Sequence, residues 1–214
     1  MSASSHFNHK DIWGVWAIRL ARWRNRLLEM LWSFYVKLKC LYWKITLGKG
    51  CRFWGNMHFQ RIAGSSITVG EECRFRSATW SNLIGTNRPC YLCTLRPNAK
   101  IIIGKGSGFS GTVISAAQSI EIGPNVICGA NVTITDTDWH NLDRSLDGMR
   151  PAATAPVTIG ENVWLAMNVT VLKGVSIGEN SVVAANSIVT RDIPANVLAA
   201  GQPAKIIKKI STVL

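Results

Sequence analysis

From Ile159 to Pro194 the chain reads IGENVW, LAMNVT, VLKGVS, IGENSV, VAANSI, VTRDIP, six hexads in one phase. An aliphatic residue leads every hexad: Ile159, Leu165, Val171, Ile177, Val183 and Val189. The fifth position (Val163, Val169, Val175, Ser181, Ser187, Ile193) is mostly small or β-branched. Gly or Ala takes the second position in four of the six hexads, and Asn the fourth in four. A helix of 3.6 residues per turn does not keep a six-residue repeat on one face, whereas a short strand plus a turn does. Each repeat then leaves apolar side chains that only a neighbouring coil covers, so the period predicts a β-solenoid. Looser rounds stand upstream at Val69-Gly70, Ile84-Gly85, Ile103-Gly104, Ile122-Gly123 and Cys128-Gly129.

The rest of the composition agrees with a folded body. Of 214 residues, 47% are hydrophobic and 17% charged, which excludes a disordered chain. The net charge of +12 is unevenly placed: residues 1–61 hold 11 basic and two acidic side chains, the remainder 13 and 10. Six of nine tryptophans (Trp13, Trp16, Trp23, Trp32, Trp43, Trp54) fall in that first stretch. From Ile12 to about Ile45, apolar residues recur at helical spacing (Trp13, Trp16, Leu20, Trp23, Leu27, Leu31, Phe34, Leu38, Leu41, Ile45), with Arg19, Arg22, Arg26, Lys37 and Lys44 mostly off the stripe. This predicts one or two amphipathic helices, ended by Gly48 and Gly50. The expected organisation is a basic, Trp-rich helical segment over 1–47, a solenoid over 48–195 with an excursion at 135–156, and a tail over 196–214.

Cysteine usage and the lack of a leader or membrane-spanning run point to a reducing, cytoplasmic setting. Cys40, Cys51, Cys73, Cys90, Cys93 and Cys128 show no disulfide framework, and Arg or Lys interrupts every apolar window before about 18 residues. Cys90-Tyr91-Leu92-Cys93 has no second Cys or His pair for zinc, so no metal is expected and these thiols read as buried small hydrophobes.

The hexads, closed by TRDIPANVLAAGQPAKIIKKI, resemble the hexapeptide-repeat acyltransferases with a left-handed parallel β-helix, more narrowly the O-acetyltransferases of sugars and polysaccharides. The resemblance covers roughly residues 65–210 and is tightest from Ile120 onward. It implies an acetyl-CoA donor, a homotrimer with sites between chains, and a glycan acceptor.

The repeat breaks between Ile134 and Val157 in TDTDWHNLDRSLDGMRPAATAP, which must loop out of the coil; functional groups concentrate on such loops. It carries His140, the one histidine of the repeat region. An imidazole titrating near neutrality suits general-base attack of a sugar hydroxyl on a thioester. The resemblance places the catalytic histidine in this loop, after Asn131-Val132-Thr133. Asp136, Asp138 and Asp143 are the candidates to orient its ring. The resemblance also implies donor contacts at Trp164, Met167 (through its backbone N–H), Ala185, Thr190, Arg191, Lys205 and Lys208, and acceptor contacts at Ser110, Asn131 and Asp138. Gly108-Phe109-Ser110-Gly111 stands where sugar acetyltransferases carry Asn-Phe-Asn, and Ala117 near an acceptor aspartate. A small free galactoside is therefore not the expected acceptor. Readings set beside this one are an N-acetyltransferase of an amino-sugar nucleotide and a non-catalytic scaffold. The basic, indole-rich segment 1–47 suits contact with an anionic membrane, with packing on the solenoid as its rival. No nucleic-acid fold signature accompanies it.

Overall fold

The computed structural model describes residues 11–210. It is a left-handed parallel β-helix, triangular in section, entered through one long helix. Each coil contributes one short strand to each of three sheets. The first face stacks Thr46–Leu47, Ser66–Val69, Lys100–Ile103, Ser119–Ile122, Val157–Ile159 and Ser176–Ile177. The second stacks Arg52–Trp54, Arg74–Arg76, Gly108–Ser110, Ile127–Ala130, Trp164–Leu165, Val182–Val183 and Val197–Gly201, ending in the antiparallel Ala204–Lys209. The third stacks His58–Gln60, Tyr91–Thr94, Val113–Ala116, Thr133–Thr135, Thr170–Val171 and Ile188–Val189.

The hexad chemistry accounts for this geometry. Every lead residue from Ile159 to Val189 is at most 2% exposed, and burying each contributes about 1.5–3 kcal/mol. The fifth positions also point inward; Ser181 is tolerated there because its hydroxyl donates to the Pro194 carbonyl at 2.7 Å. The fourth position of the first five hexads turns the corner in the left-handed backbone region, at φ +58° for Asn162 and Asn168, +76° for Gly174, +56° for Asn180 and +59° for Asn186. Asn and Gly enter that region at least cost. The Asn amides also form a ladder down the corners, Asn162 to Asn180 at 3.0 Å and Asn168 to Asn186 at 3.0 Å. At Gly178 in the second position, a Cβ would stand 2.3 Å from the backbone nitrogen of Ala195 in the next coil.

The upstream coils use larger residues. Phe53, Phe75 and Phe109 stack along the core with centroids 5.3 and 5.0 Å apart, and Cys128, Leu165, Val183 and Ala199 continue the column. Val69, Ile103, Ile122 and Cys128 take lead positions as expected, but Ile84-Gly85 does not. Ile84 is 60% exposed in an excursion between Arg76 and Tyr91, which Arg88 ties to the carbonyls of Gly111 and Asn131. Of the cysteines, only Cys93 is not buried: it lies on the outward side of the third face, where period-two alternation puts it.

A single helix, α1 (Ile12–Tyr42), is capped at its start by the Asp11 side chain, which accepts from the Gly14 N–H at 2.8 Å. It ends before the expected glycines. Lys44 takes the left-handed conformation (φ +52°), and the chain then enters the first face at Thr46. The C-terminal half of α1 covers the open end of the solenoid through Val36 and Cys40, with Ser33 accepting from the Phe53 N–H at 3.0 Å. Residues 196–214, a tail by sequence, carry the antiparallel pair Val197–Gly201 and Ala204–Lys209 over the other end.

Candidate active site

The inserted loop leaves the corner between the third and first faces. In register, Thr133 pairs with Thr170 and Ile120 with Val157, an interval of 37 residues where the downstream coils show 18 (Thr170 to Ile188). Its neck is closed by a bridge between Thr137 and Thr154. Asp136, fully buried, anchors the stem: its carboxylate accepts from the N–H groups of Ala117, Gln118 and Ser119 at 2.6–2.7 Å. Three charge-assisted bonds replace the water a buried carboxylate loses.

His140 projects from this loop with its side chain 62% exposed. The carboxylate that meets it is none of the three candidates from sequence. Asp136 is consumed at the stem, Asp138 pairs with Lys173 at 2.9 Å, and Asp143 accepts from its neighbour Ser145. Asp147 takes the role, with Oδ2 3.1 Å from His140 Nδ1 and 2.8 Å from Arg144 Nε. Its other oxygen accepts from the Asn141 N–H at 2.9 Å, and the Asn141 amide donates to the Arg150 carbonyl. That backbone bond, with help from the Asn141 amide, His140 and Arg144, holds the Asp147 carboxyl below its ordinary range. An ionised carboxylate only accepts, so Nδ1 carries the proton and Nε2, without a partner among the described residues, presents a lone pair to solvent.

A second group of candidates lines the corner between the second and third faces. Backbone bonds stack Asn131 N–H on the Ser110 carbonyl (2.8 Å), Asn168 N–H on Ala130 (2.8 Å) and Asn186 N–H on Met167 (2.9 Å). Ser110, Ala130, Met167 and Ala185 therefore form one column, and Asn131, Asn168 and Asn186 form the next, one position on. The N–H groups of Met167 and Ala185 have no acceptor among the described residues. Ser110 is buried and its hydroxyl accepts from the Asn82 amide at 3.0 Å; Asn131 is held by Gly85 and Asn87. Trp164 lies half-exposed on the second face, and Lys205 and Lys208 stand exposed on the final hairpin. Thr190 and Arg191 lie instead at the corner of the His140 loop, below Lys173.

The chain thus separates its candidates onto two corners that flank the third face: His140, Asp147, Lys173, Thr190 and Arg191 on one, and Ser110, Asn131, Met167 and Ala185 on the other. Asp147, Lys173 and Asn82 were not singled out from sequence. Their roles depend on the path of two excursions, which no spacing encodes. Among the described residues, no group of three or more His, Cys, Asp or Glu side chains is placed to hold a metal.

Residues 156–191 match the family described as bacterial transferase hexapeptide (six repeats). The chain is 37% identical over 145 residues to a galactoside O-acetyltransferase of Lactococcus lactis, covering 67% of this chain and 63% of that one. It is 40% identical over 115 residues to a galactoside O-acetyltransferase of Escherichia coli, covering 53% and 56%. The chain spans about half, and at most 63%, of the length of these relatives. An N-acyltransferase from Bacillus cereus, solved with dTDP and 3-hydroxybutyryl-CoA, superposes with a TM-score of 0.63 at 17% identity, over 83% of this chain and 88% of that one. That likeness bears on the fold alone.

Proposed function

We propose that this hexapeptide-repeat protein of the bacterial transferase type is a CoA-dependent O-acetyltransferase acting on a hydroxyl of a sugar, polysaccharide or lipid-linked glycan precursor. The observation that carries the reading is His140, held at Nδ1 by Asp147 on a loop rooted in the scaffold, with Nε2 open. The similarity to two galactoside O-acetyltransferases supports the reaction class, and the resemblance carried by the hexads implies the acetyl-CoA donor.

In this mechanism Nε2 takes the proton of the acceptor hydroxyl as its oxygen attacks the thioester carbonyl carbon. The unpaired backbone N–H of Met167 stabilises the oxyanion, a function the methionine side chain does not impair. The C–S bond then breaks, and the imidazolium returns its proton to the departing CoA thiolate. No acyl-enzyme intervenes, because a thioester is already activated. Trp164, Ala185, Thr190, Arg191, Lys205 and Lys208 hold the donor; Ser110, Asn131 and Asp138 face the acceptor.

One chain keeps His140 and the Met167–Ala185 column apart, so a working site needs a second copy. Packing on the third face sets the His140 corner of one chain against the donor column of the next, and the resemblance implies that the assembly is a homotrimer. The setting is cytoplasmic, with α1 in contact with an anionic membrane surface.

The test is thiol release from acetyl-CoA with candidate glycans, wild type beside His140→Ala. The substitution is expected to lower kcat by about 10²–10⁴ with CoA affinity unchanged, as for loss of a general base. Equal turnover by His140→Ala would refute the assignment.

A further inference from the structure

The helix α1 changes character where it leaves the solenoid. Its inward line runs Cys40, Val36, Ser33, Glu29, Arg26, Arg22, at helical intervals of three and four. The first three touch the solenoid end; beyond them the same line opens into a cleft of about 620 Å³ between α1 and the first two strands of the second face. Five arginines line it: Arg19, Arg22 and Arg26 from α1, Arg52 and Arg76 from the strands. The one acid, Glu29, is spent on Arg52 in a two-pronged ion pair. Arg52 and Arg76 each stack on the Trp54 ring with the guanidinium carbon 5.0 Å from its centroid, which fixes their forks in the cleft wall. Arg22 and Arg26 have no acidic partner among the described residues.

Like charges gathered this way repel unless an anion joins them. Burial first, then repulsion from Arg74 and Arg52, holds the Arg76 guanidinium below its ordinary value against the opposing attraction of Glu29. The forks of Arg22 and Arg26, with the Arg76 donors not given to the Ser81 carbonyl, match the non-bridging oxygens of phosphates, which arginine grips in pairs. The cleft also continues along the same face. Arg76 is shared with a groove of about 730 Å³ whose floor includes Gly106, Gly108 and Gly129 and whose wall carries Ser110 and Asn82. A floor of glycines leaves room for a bulky ring, and the groove leads to Ser110, whose carbonyl accepts from the Asn131 N–H.

We propose that the arginine cleft between α1 and the second face binds the diphosphate of a glycosyl diphosphate, whose sugar lies in the adjoining glycine-floored groove. The identity of that ligand as the acceptor rests on the transferase reading above; the diphosphate site does not.

The experiment is calorimetric titration of the full chain with inorganic pyrophosphate. Binding is expected in wild type and in Lys37→Gln/Lys44→Gln, which removes equal charge outside the cleft, and is expected to weaken at least tenfold in Arg22→Gln/Arg26→Gln. These two positions are exposed on α1, and unchanged circular dichroism and melting will show that the fold is intact. Uridine diphosphate and geranyl diphosphate separate the sources: a preference for either supports the assignment and says whether the carrier is a nucleotide or a lipid. Absence of pyrophosphate binding, or equal loss in both double variants, overturns it. So does a result in which the cleft arginines govern only flotation with phosphatidylglycerol vesicles. CoA titration of the same samples keeps the two readings apart. A wild type that binds pyrophosphate through Arg22 and Arg26 but not CoA would refute the transferase and leave the diphosphate site standing.

Discussion

His140 and Asp147 are seven positions apart on a polar loop, and their contact is made by the turn between them, Arg144–Leu146, which brings Asp147 back under the ring. Because the folded loop holds the Asp147 carboxyl below its ordinary 3.8, that group favours the folded loop at pH values above 3.8 and loses this contribution as pH falls through its lowered value. The pair is therefore intact throughout the neutral range. Asp147→Asn keeps the shape but removes the anion that fixes the ring's tautomer. We expect kcat to fall by about 10–10²-fold with CoA affinity unchanged, read by thiol release beside a CoA titration. An unaltered kcat would reduce Asp147 to a loop-packing residue. His140 was legible in the sequence because it interrupts a strict period. Asp147 was not, since three other aspartates share the stretch 135–156 and only the fold shows which of them are consumed by backbone N–H groups, Lys173 or Ser145.

The elements divide by how much of their packing is local. From Val157 to Val189 each strand is two or three residues long, the fourth-position corners from Asn162 to Asn186 sit on Asn or Gly, and the period is visible by inspection. Upstream, the core column switches to Phe53, Phe75 and Phe109, and the excursion at 77–90 breaks the count, so the same fold is only faintly written there. The helix α1 was legible in type but not in end point. Its apolar stripe stays exposed, with Trp13 at 87%, Trp23 at 66% and Phe34 at 67%, while Val36 and Cys40 on another side make the contact with the solenoid. Residues 1–10 of the membrane-contact segment lie outside the described residues. Indoles beside arginines suit the headgroup layer of an anionic bilayer. No helix among the described residues is long and apolar enough to cross one. Replacing Trp13 and Trp16 with Ser is expected to abolish flotation with phosphatidylglycerol vesicles, and wild-type flotation to weaken as salt is raised. Flotation that survives the substitutions, or that occurs equally with neutral phosphatidylcholine, would contradict this role for α1.

At the scale of the molecule, the proposed reaction groups stand on two corners separated by the width of the third face, and in the proposed mechanism a neighbouring copy brings them together. Subunit mixing reads this directly. Ala185 is exposed on the donor column, so Ala185→Trp is expected to block the donor without disturbing the core. His140→Ala and Ala185→Trp chains, each inactive alone, are unfolded together, refolded as mixed oligomers and assayed for acetyl transfer. If each site takes His140 from one chain and the donor column from the next, random assembly restores about a quarter of wild-type activity. If both corners of one chain serve the same site, no site is whole in any mixture. Mixed oligomers as inactive as their parents would therefore contradict the shared site.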